Sequence, residues 1–293
     1  MTDQGFGKKA LIVEGGGMRG VFSAGVLDAF LEENFHDFDF FIGVSAGSAN
    51  LAGYLAGQYG RNLRFYSEYM IEHRVFSLAR MLGGGPFMDA GWIFGPGDAR
   101  EPLDVDAVFQ RISGKKFFIV CTDVASGRPL LLEPNRDDLR FLMRCSCSLP
   151  FITGPFPELG GRPVTDGGVS DPVPIETAFS LGARRAVVVR SRPTDVLKKR
   201  EPAAGLTSFL TRKHPQLRRA IHNQPEIYNR AVGFLNDPPR GLDIIQIAPP
   251  RPLRTGRTSR KKEDLLCDYR LGLDRGRETI TTLLRPWRDR TTP

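Results

Sequence analysis

Three short blocks of this chain carry the residue types that acyl transfer requires: a nucleophile, a base to take its proton, and donors to hold an oxyanion. The first is Gly43-Val44-Ser45-Ala46-Gly47, where an apolar run from Phe38 to Val44 gives way to small residues. A sharp strand-to-helix turn there lifts the Ser45 hydroxyl out of a sheet, and Gly43 and Gly47 leave room for the neighbouring strand and helix. The second is Gly15-Gly16-Gly17-Met18-Arg19-Gly20. Successive glycines let backbone N–H groups point into one concavity, and Arg19 adds positive charge beside it. The candidate oxyanion set is therefore Gly15, Gly16, Gly17, Arg19 and Gly20, with Ala46 at the start of the helix after Ser45.

The third block is Pro163-Val164-Thr165-Asp166-Gly167-Gly168. Its Pro-Val-Thr reads as a strand end, and Gly167 and Gly168 allow close backbone approach to Asp166. A carboxylate can accept the serine proton directly. With an ordinary pKa of about 3.9, against about 6.5 for histidine, it is ionised at neutral pH and is the weaker base. The four histidines, His36, His73, His214 and His222, lack a comparable context. His36 precedes the Ser45 strand at its far end, and His214 and His222 lie in a polar, basic stretch.

These groups need a scaffold that brings strand ends together. Lys9 to Glu14 reads as a buried strand, followed by the glycine loop and a helix with Val21, Phe22, Val26, Leu27, Phe30 and Leu31. The strand from Phe38 carries Ser45 at its C-terminal end. Further strands are expected over Lys116 to Thr122, Arg128 to Leu132, Arg185 to Arg190 and Leu242 to Ala248, with helices near Asp138 to Cys147 and Ile175 to Leu181. This alternation predicts an α/β fold with helices on both faces of the sheet and sites at the C-terminal strand ends. Arg74 to Asp98, rich in Phe, Met, Gly and Pro, reads either as a mobile apolar lid or as a cap packed on the core. Pro193 to Arg240 turns polar and basic, Pro249 to Lys262 reads as an exposed linker, and a last helix is expected over Lys262 to Trp287.

The chain has 293 residues, 41% hydrophobic and 25% charged, which suits one large domain with an ample core. No apolar run approaches the roughly 18 residues of a membrane span, and the N-terminus lacks a secretory pattern, so a cytoplasmic protein is expected. Cys121, Cys145, Cys147 and Cys267 lack metal-site spacing, and Cys145-Ser146-Cys147 reads as small packing residues. No metal and no cofactor is expected. The net charge of +8 concentrates after residue 180, in Arg184-Arg185, Lys198-Lys199-Arg200, Arg212 to Arg219 and Arg251 to Lys262. It reads as solvated surface or as a footprint for anionic headgroups. No nucleic-acid-binding module accompanies it.

Together, the glycine loop at Gly15 to Gly20, the G-x-S-x-G at Gly43 to Gly47 and the D-G-G at Asp166 to Gly168 occur in the order of the patatin-like phospholipases, and the chain resembles that family over about Lys9 to Val189. Arg144 to Pro150 resembles the small-residue helix end before the family's Asp strand. The resemblance implies a three-layer α/β/α sandwich with a mainly parallel central sheet, a catalytic domain over 9–190, and an extension over 191–293 that completes or packs on it. It also implies Ser45 as nucleophile, Asp166 as base of a Ser-Asp dyad, the glycine loop as oxyanion site, and metal-free hydrolysis of phospholipid or other glycerolipid esters, with peripheral membrane contact. Asp268-Tyr269-Arg270-Leu271-Gly272 is similar to an extension of a bacterial subgroup.

Rival readings remain at this point. Gly15-x-Gly17-x-x-Gly20 after a strand, with Asp39 about 20 residues on, also fits a dinucleotide fingerprint. A noncatalytic lipid-surface protein of the same fold, and a hydrolase with a histidine base, are the other two. An acyltransferase outcome follows if an alcohol replaces water.

Overall fold

A computed structural model describes residues 7–199 and 211–285. Strands β1 (Lys8–Val13) and β2 (Phe40–Val44) flank helix α1 (Gly20–Glu32), and α2 (Ala46–Leu55) follows β2 directly. Then come β3 (Lys116–Asp123), β4 (Pro129–Leu132), α3 (Leu139–Ser146), β5 (Glu158–Leu159), β6 (Arg162–Asp166), α4 (Ile175–Ser180), β7 (Ala183–Val189), α5 (Pro215–Asn236), β8 (Asp243–Ile247) and α6 (Lys262–Thr279). The sheet order is β5-β6-β3-β2-β1-β7-β8, with β4 paired to β3. The central strands β3, β2, β1, β7 and β8 are mutually parallel, and β4, β5 and β6 add the antiparallel pairs.

The central strands are apolar throughout because both faces are covered. Alternate side chains divide between two cores. Leu11, Val13, Phe41, Phe117, Ile119 and Val187 face a core that takes in residues of α1, α2 and α3. Ile12, Ile42, Val44, Val120, Ala186 and Val188 face a second core completed by α4 and α5. The result is the three-layer α/β/α sandwich with a mainly parallel sheet.

α1 is buried on every side from Gly20 to Phe30, since α6 lies across its outer surface. The approach is close enough that a Cβ on Gly272 would stand 2.0 Å from the Phe22 carbonyl oxygen. Only glycine fits there.

Two stretches differ from expectation. The polar region after Pro193 contains the 22-residue helix α5. Its buried positions, Leu217, Ala220, Tyr228, Ala231, Val232 and Leu235, form a narrow stripe at helical spacing, which the abundant charge and the internal Pro225 disguise. Pro249 to Lys262 is largely exposed, as a linker would be, but it is pinned at Thr255, which is only 1% exposed. The last helix closes with a π-helical turn over Ile280–Leu284. Its expected end at Trp287 lies outside the described residues, as does Arg200. Arg74 to Asp98 is a packed cap: Val75, Phe76, Met88 and Ile93 cluster with Met18, Val21, Tyr66 and Tyr269. Its tip at Leu78 and Leu82 is exposed.

Candidate active site

Strand pairing brings the serine and the aspartate together. β3 pairs Val120 with Val44 and, at the next residue, Cys121 with Asp166. The end of β2 and the end of β6 therefore meet beside β3, although the two residues are 121 positions apart. Ser45 Oγ donates to Asp166 Oδ2 at 2.6 Å. Asp166 Oδ1 accepts from the Gly168 N–H at 2.7 Å, so both carboxylate oxygens are engaged.

The turn that presents Ser45 is under backbone constraint. Ser45 has φ 52° and ψ −129°, a region that costs a side-chain-bearing residue about 1–3 kcal/mol and persists only where surroundings enforce it. A Cβ on Gly47 would lie 2.3 Å from the Val13 carbonyl oxygen, so glycine is required for α2 to leave the sheet at this angle. The Ser45 N–H donates to Ser146 Oγ at 2.8 Å, and Ser146 Oγ donates to the Val120 carbonyl at 2.6 Å. Asp166 is held in a similar way: its N–H donates to the Ser148 carbonyl, and its carbonyl accepts from Thr122 Oγ1 at 2.8 Å. Ser146, Ser148 and Thr122 escaped the sequence analysis as site-shaping residues. The signal for Ser146 and Ser148 was the small-residue run Cys145 to Ser148, which positions the elbow as well as packing; Thr122, inside an apolar strand, carried none.

Asp166 is 4% exposed. Burial raises its pKa above the ordinary carboxylate value, opposed by the hydrogen bonds from Ser45 and Gly168 and by the charges of Arg257 and Lys198. Cys121, Cys145 and Cys147 are buried and unbridged, and burial pushes their thiols up, Cys145 to about 11.

Ser45, Asp166, Gly168, Gly15, Gly16 and Gly17 line one cavity of about 1070 Å³, and Arg19 and Ala46 line it too. The Ala46 N–H stands at the N-terminus of α2, the positive end of the helix dipole. Gly20 does not line this cavity. It begins α1, its N–H is used by the Gly17 and Met18 carbonyls, and its Cα packs against Tyr66 and Asn50. Gly43 and Gly167 act from beneath, where they let strand and turn close up. Apolar side chains of the cap, among them Phe76, Phe87, Met88 and Phe94, line much of the remainder.

Asp39 is not brought to the glycine loop. It precedes β2, at the opposite end of the parallel strands, where Oδ2 accepts from the Lys9 N–H at 2.7 Å. His36 contacts Tyr54 and Arg111, and burial followed by the Arg111 charge pushes its pKa down to about 4. His73 stacks on Trp92, and His214 meets the Phe156 ring. His222 lines the cavity on its exposed side, while Asp166 is the residue bonded to Ser45. Among the described residues no group of three or more His, Cys, Asp or Glu is placed to hold a metal ion, and no helix is long and apolar enough to cross a membrane.

Residues 11–179 match the family model for patatin-like phospholipase, and residues 214–287 match a domain of unknown function, DUF6363. The chain is 30% identical over 284 residues to the uncharacterized protein YjjU of Escherichia coli (strain K12), an alignment covering 94% of this chain and 78% of that protein. Among solved structures, VipD from Legionella pneumophila superposes with a TM-score of 0.49 at 11% identity, covering 94% of this chain and 67% of VipD. On the extent of the family match and of the YjjU alignment, the chain belongs to the patatin-like phospholipases, a family of lipid acyl hydrolases.

Proposed function

We propose that this protein is a serine acyl hydrolase that cleaves fatty-acyl esters of phospholipids or other glycerolipids, with Ser45 as nucleophile and Asp166 as base. The observation that carries this reading is the 2.6 Å hydrogen bond from Ser45 Oγ to Asp166 Oδ2, at the floor of a large, mainly apolar cavity. Asp166 accepts the hydroxyl proton as Ser45 Oγ attacks the ester carbonyl. The N–H groups of Gly16, Gly17 and Ala46 hold the resulting oxyanion, each such donor contributing about 2.7–4 kcal/mol of transition-state stabilisation. Asp166 returns the proton to the departing alcohol, leaving an acyl-serine. Water then attacks the acyl carbonyl, Asp166 takes its proton and passes it to Ser45 Oγ, and the fatty acid leaves. An apolar cavity of this size suits an acyl chain, and no step calls for a metal or cofactor.

The exposed side chains of Leu78, Met81, Leu82, Ile152 and Leu197 support a peripheral encounter with the lipid surface, since Met81, Ile152 and Leu197 also line the cavity. We read 9–190 and the extension over 191–293 as one unit, a reading supported by β8 pairing with β7 and α6 packing on α1. The test is covalent labelling by a fluorophosphonate probe together with fatty-acid release from mixed phospholipid vesicles. Both should occur in the native protein and vanish in Ser45→Ala; a folded native protein that neither labels nor releases fatty acid overturns the reading.

A further inference from the structure

Part of the cavity wall is cationic. Arg19, Arg192, Lys198 and Arg257 all line it, and Arg257 and Lys198 lie near enough to Asp166 for their charges to act on its carboxylate. Two of the four are lowered by their neighbours. Burial first, then Arg192 and Arg257, push Arg19 down to about 10, and burial first, then Arg257, push Lys198 down to about 7. The carboxylates these cations feel are Glu14 and Asp166. Glu14 Oε2 is already committed to the Ser191 N–H at 2.8 Å. Arg19 Nε and Arg192 Nε are buried without a hydrogen-bond partner. Desolvated guanidinium nitrogens are costly unless an anion meets them.

The C-terminal third builds this wall. Asn229 on α5 clamps the Lys198 backbone from both sides, accepting from its N–H at 2.8 Å and donating to its carbonyl at 2.9 Å. Lys198 Nζ sits 4.2 Å from the centre of the Tyr228 ring, on the same helix. Arg257 lies on the strap before α6, and its carbonyl accepts from the Met18 N–H at 3.1 Å, tying the strap to the glycine loop. The strap is held in turn by Asp268, 2% exposed, whose carboxylate accepts from the Arg254 and Thr255 N–H groups at 3.3 and 2.7 Å. Tyr269 Oη donates to Asp28 at 2.8 Å, and Gly272 lets α6 close on α1. The Asp268 to Gly272 stretch thereby fixes where Arg257 stands.

Cations grouped next to an ester-cleaving serine attract a phosphate and repel an ammonium group. Guanidinium groups also match phosphate oxygens in pairs. We propose that Arg192, Lys198 and Arg257 form a headgroup subsite that selects glycerophospholipids whose phosphate has no balancing cation, such as phosphatidylglycerol, over zwitterionic ones, and that the segment over 214–287 builds it. This inference rests on the hydrolase reading above and names its substrate class.

The test uses full-length Ser45→Ala protein, which can hold lipid without turnover, titrated calorimetrically with soluble dihexanoyl-phosphatidylglycerol and dihexanoyl-phosphatidylcholine. The anionic lipid should bind at least tenfold more tightly. Adding Lys198→Gln or Arg257→Gln should bring the ratio towards one, while Lys198→Arg should keep it, with circular dichroism reporting the fold of each variant. Equal affinities in the Ser45→Ala parent overturn the proposal, as does a preference that survives both charge removals. Inorganic phosphate is the remaining arm: it should compete weakly, and phosphate that binds as tightly as the anionic lipid overturns a lipid-headgroup subsite. Failure of fluorophosphonate labelling in the native protein sinks the hydrolase reading, whereas labelling with equal lipid affinities sinks this inference alone.

Discussion

Asp166 accepts the Ser45 hydroxyl proton at 2.6 Å while its other oxygen is held by the Gly168 N–H, so the carboxylate is oriented before any substrate arrives. Ser45→Ala and Asp166→Asn should each lower lipid hydrolysis by about 10⁴-fold or more, because residues that act as one unit fail together. The double variant should be little worse than either single one. Fatty-acid release from vesicles measures this, and additive losses would speak against a dyad.

Burial holds the Asp166 pKa above its ordinary value, which sets the acid limb of activity. With Asp166 as the proposed base, only its ionised form takes the serine proton, so hydrolysis should fall as pH drops through that raised pKa. The limb therefore lies above that of an unburied aspartate. A kcat/KM profile that stays flat below the ordinary carboxylate pKa would contradict it.

The same shift has a cost in stability. Between the unfolded pKa and the raised folded one, the native state binds more protons, so stability declines as pH rises through that window, at up to about 1.4 kcal/mol per pH unit. Asp166→Asn lacks this penalty. Its melting temperature should exceed that of the native protein at pH 7, and the difference should shrink as pH falls from the raised pKa to the unfolded value of 3.8.

Asp98, at the end of the cap, binds Arg61 at 2.5 Å and Arg140 at 2.7 Å, with the Arg61 side chain 7% exposed. Asp98→Ala strands a buried guanidinium and should cost about 3–5 kcal/mol in chemical denaturation. Exchanging the exposed pair Lys116 and Glu133 for alanines should cost less than about 1 kcal/mol.

Leu78 and Leu82, 58% and 79% exposed at the tip of the cap, are the side chains that the proposed peripheral contact would bury. Burying a leucine fully is worth about 1.5–3 kcal/mol, so Leu78→Asn with Leu82→Asn should weaken vesicle co-sedimentation by tenfold or more. Cleavage of a soluble ester should change far less than that. Unchanged vesicle binding would rule out this contact.

Gly272→Ala would drive a Cβ against the Phe22 carbonyl, a backbone atom that cannot turn aside. The substitution should lower stability by about 1–3 kcal/mol or more, read from the thermal midpoint. It should also erode any preference for anionic lipid, because α6 carries the Asp268 clamp on the strap of Arg257. A preference that outlives a large stability loss would uncouple the two.

Much was legible in the sequence because it is local. The elbow around Ser45, the glycine loop and the Asp166 turn each depend on glycines within a few residues, and the strands are continuous apolar runs whose buried faces leave no other pattern. The order of the three blocks carried the fold class with it. Gly20 shows the limit of such reading, since it shares the motif yet spends its N–H inside the first helical turn.

Tertiary structure alone decided which distant groups meet. The register of β3 sets Asp166 beside Ser45, and Ser146 bonds the Ser45 N–H from a helix 101 residues away. Motif order points to Asp166, but the contact itself depends on the register of two strand pairs, and the Ser146 contact on helix packing, neither of which spacing carries. Likewise the basic residues after position 180 read as solvated surface or as a footprint for anionic headgroups, and only chain closure carried Lys198 and Arg257 to the cavity wall. Charge counts add along a sequence, but desolvation and mutual repulsion depend on distance, and only the fold determines distance.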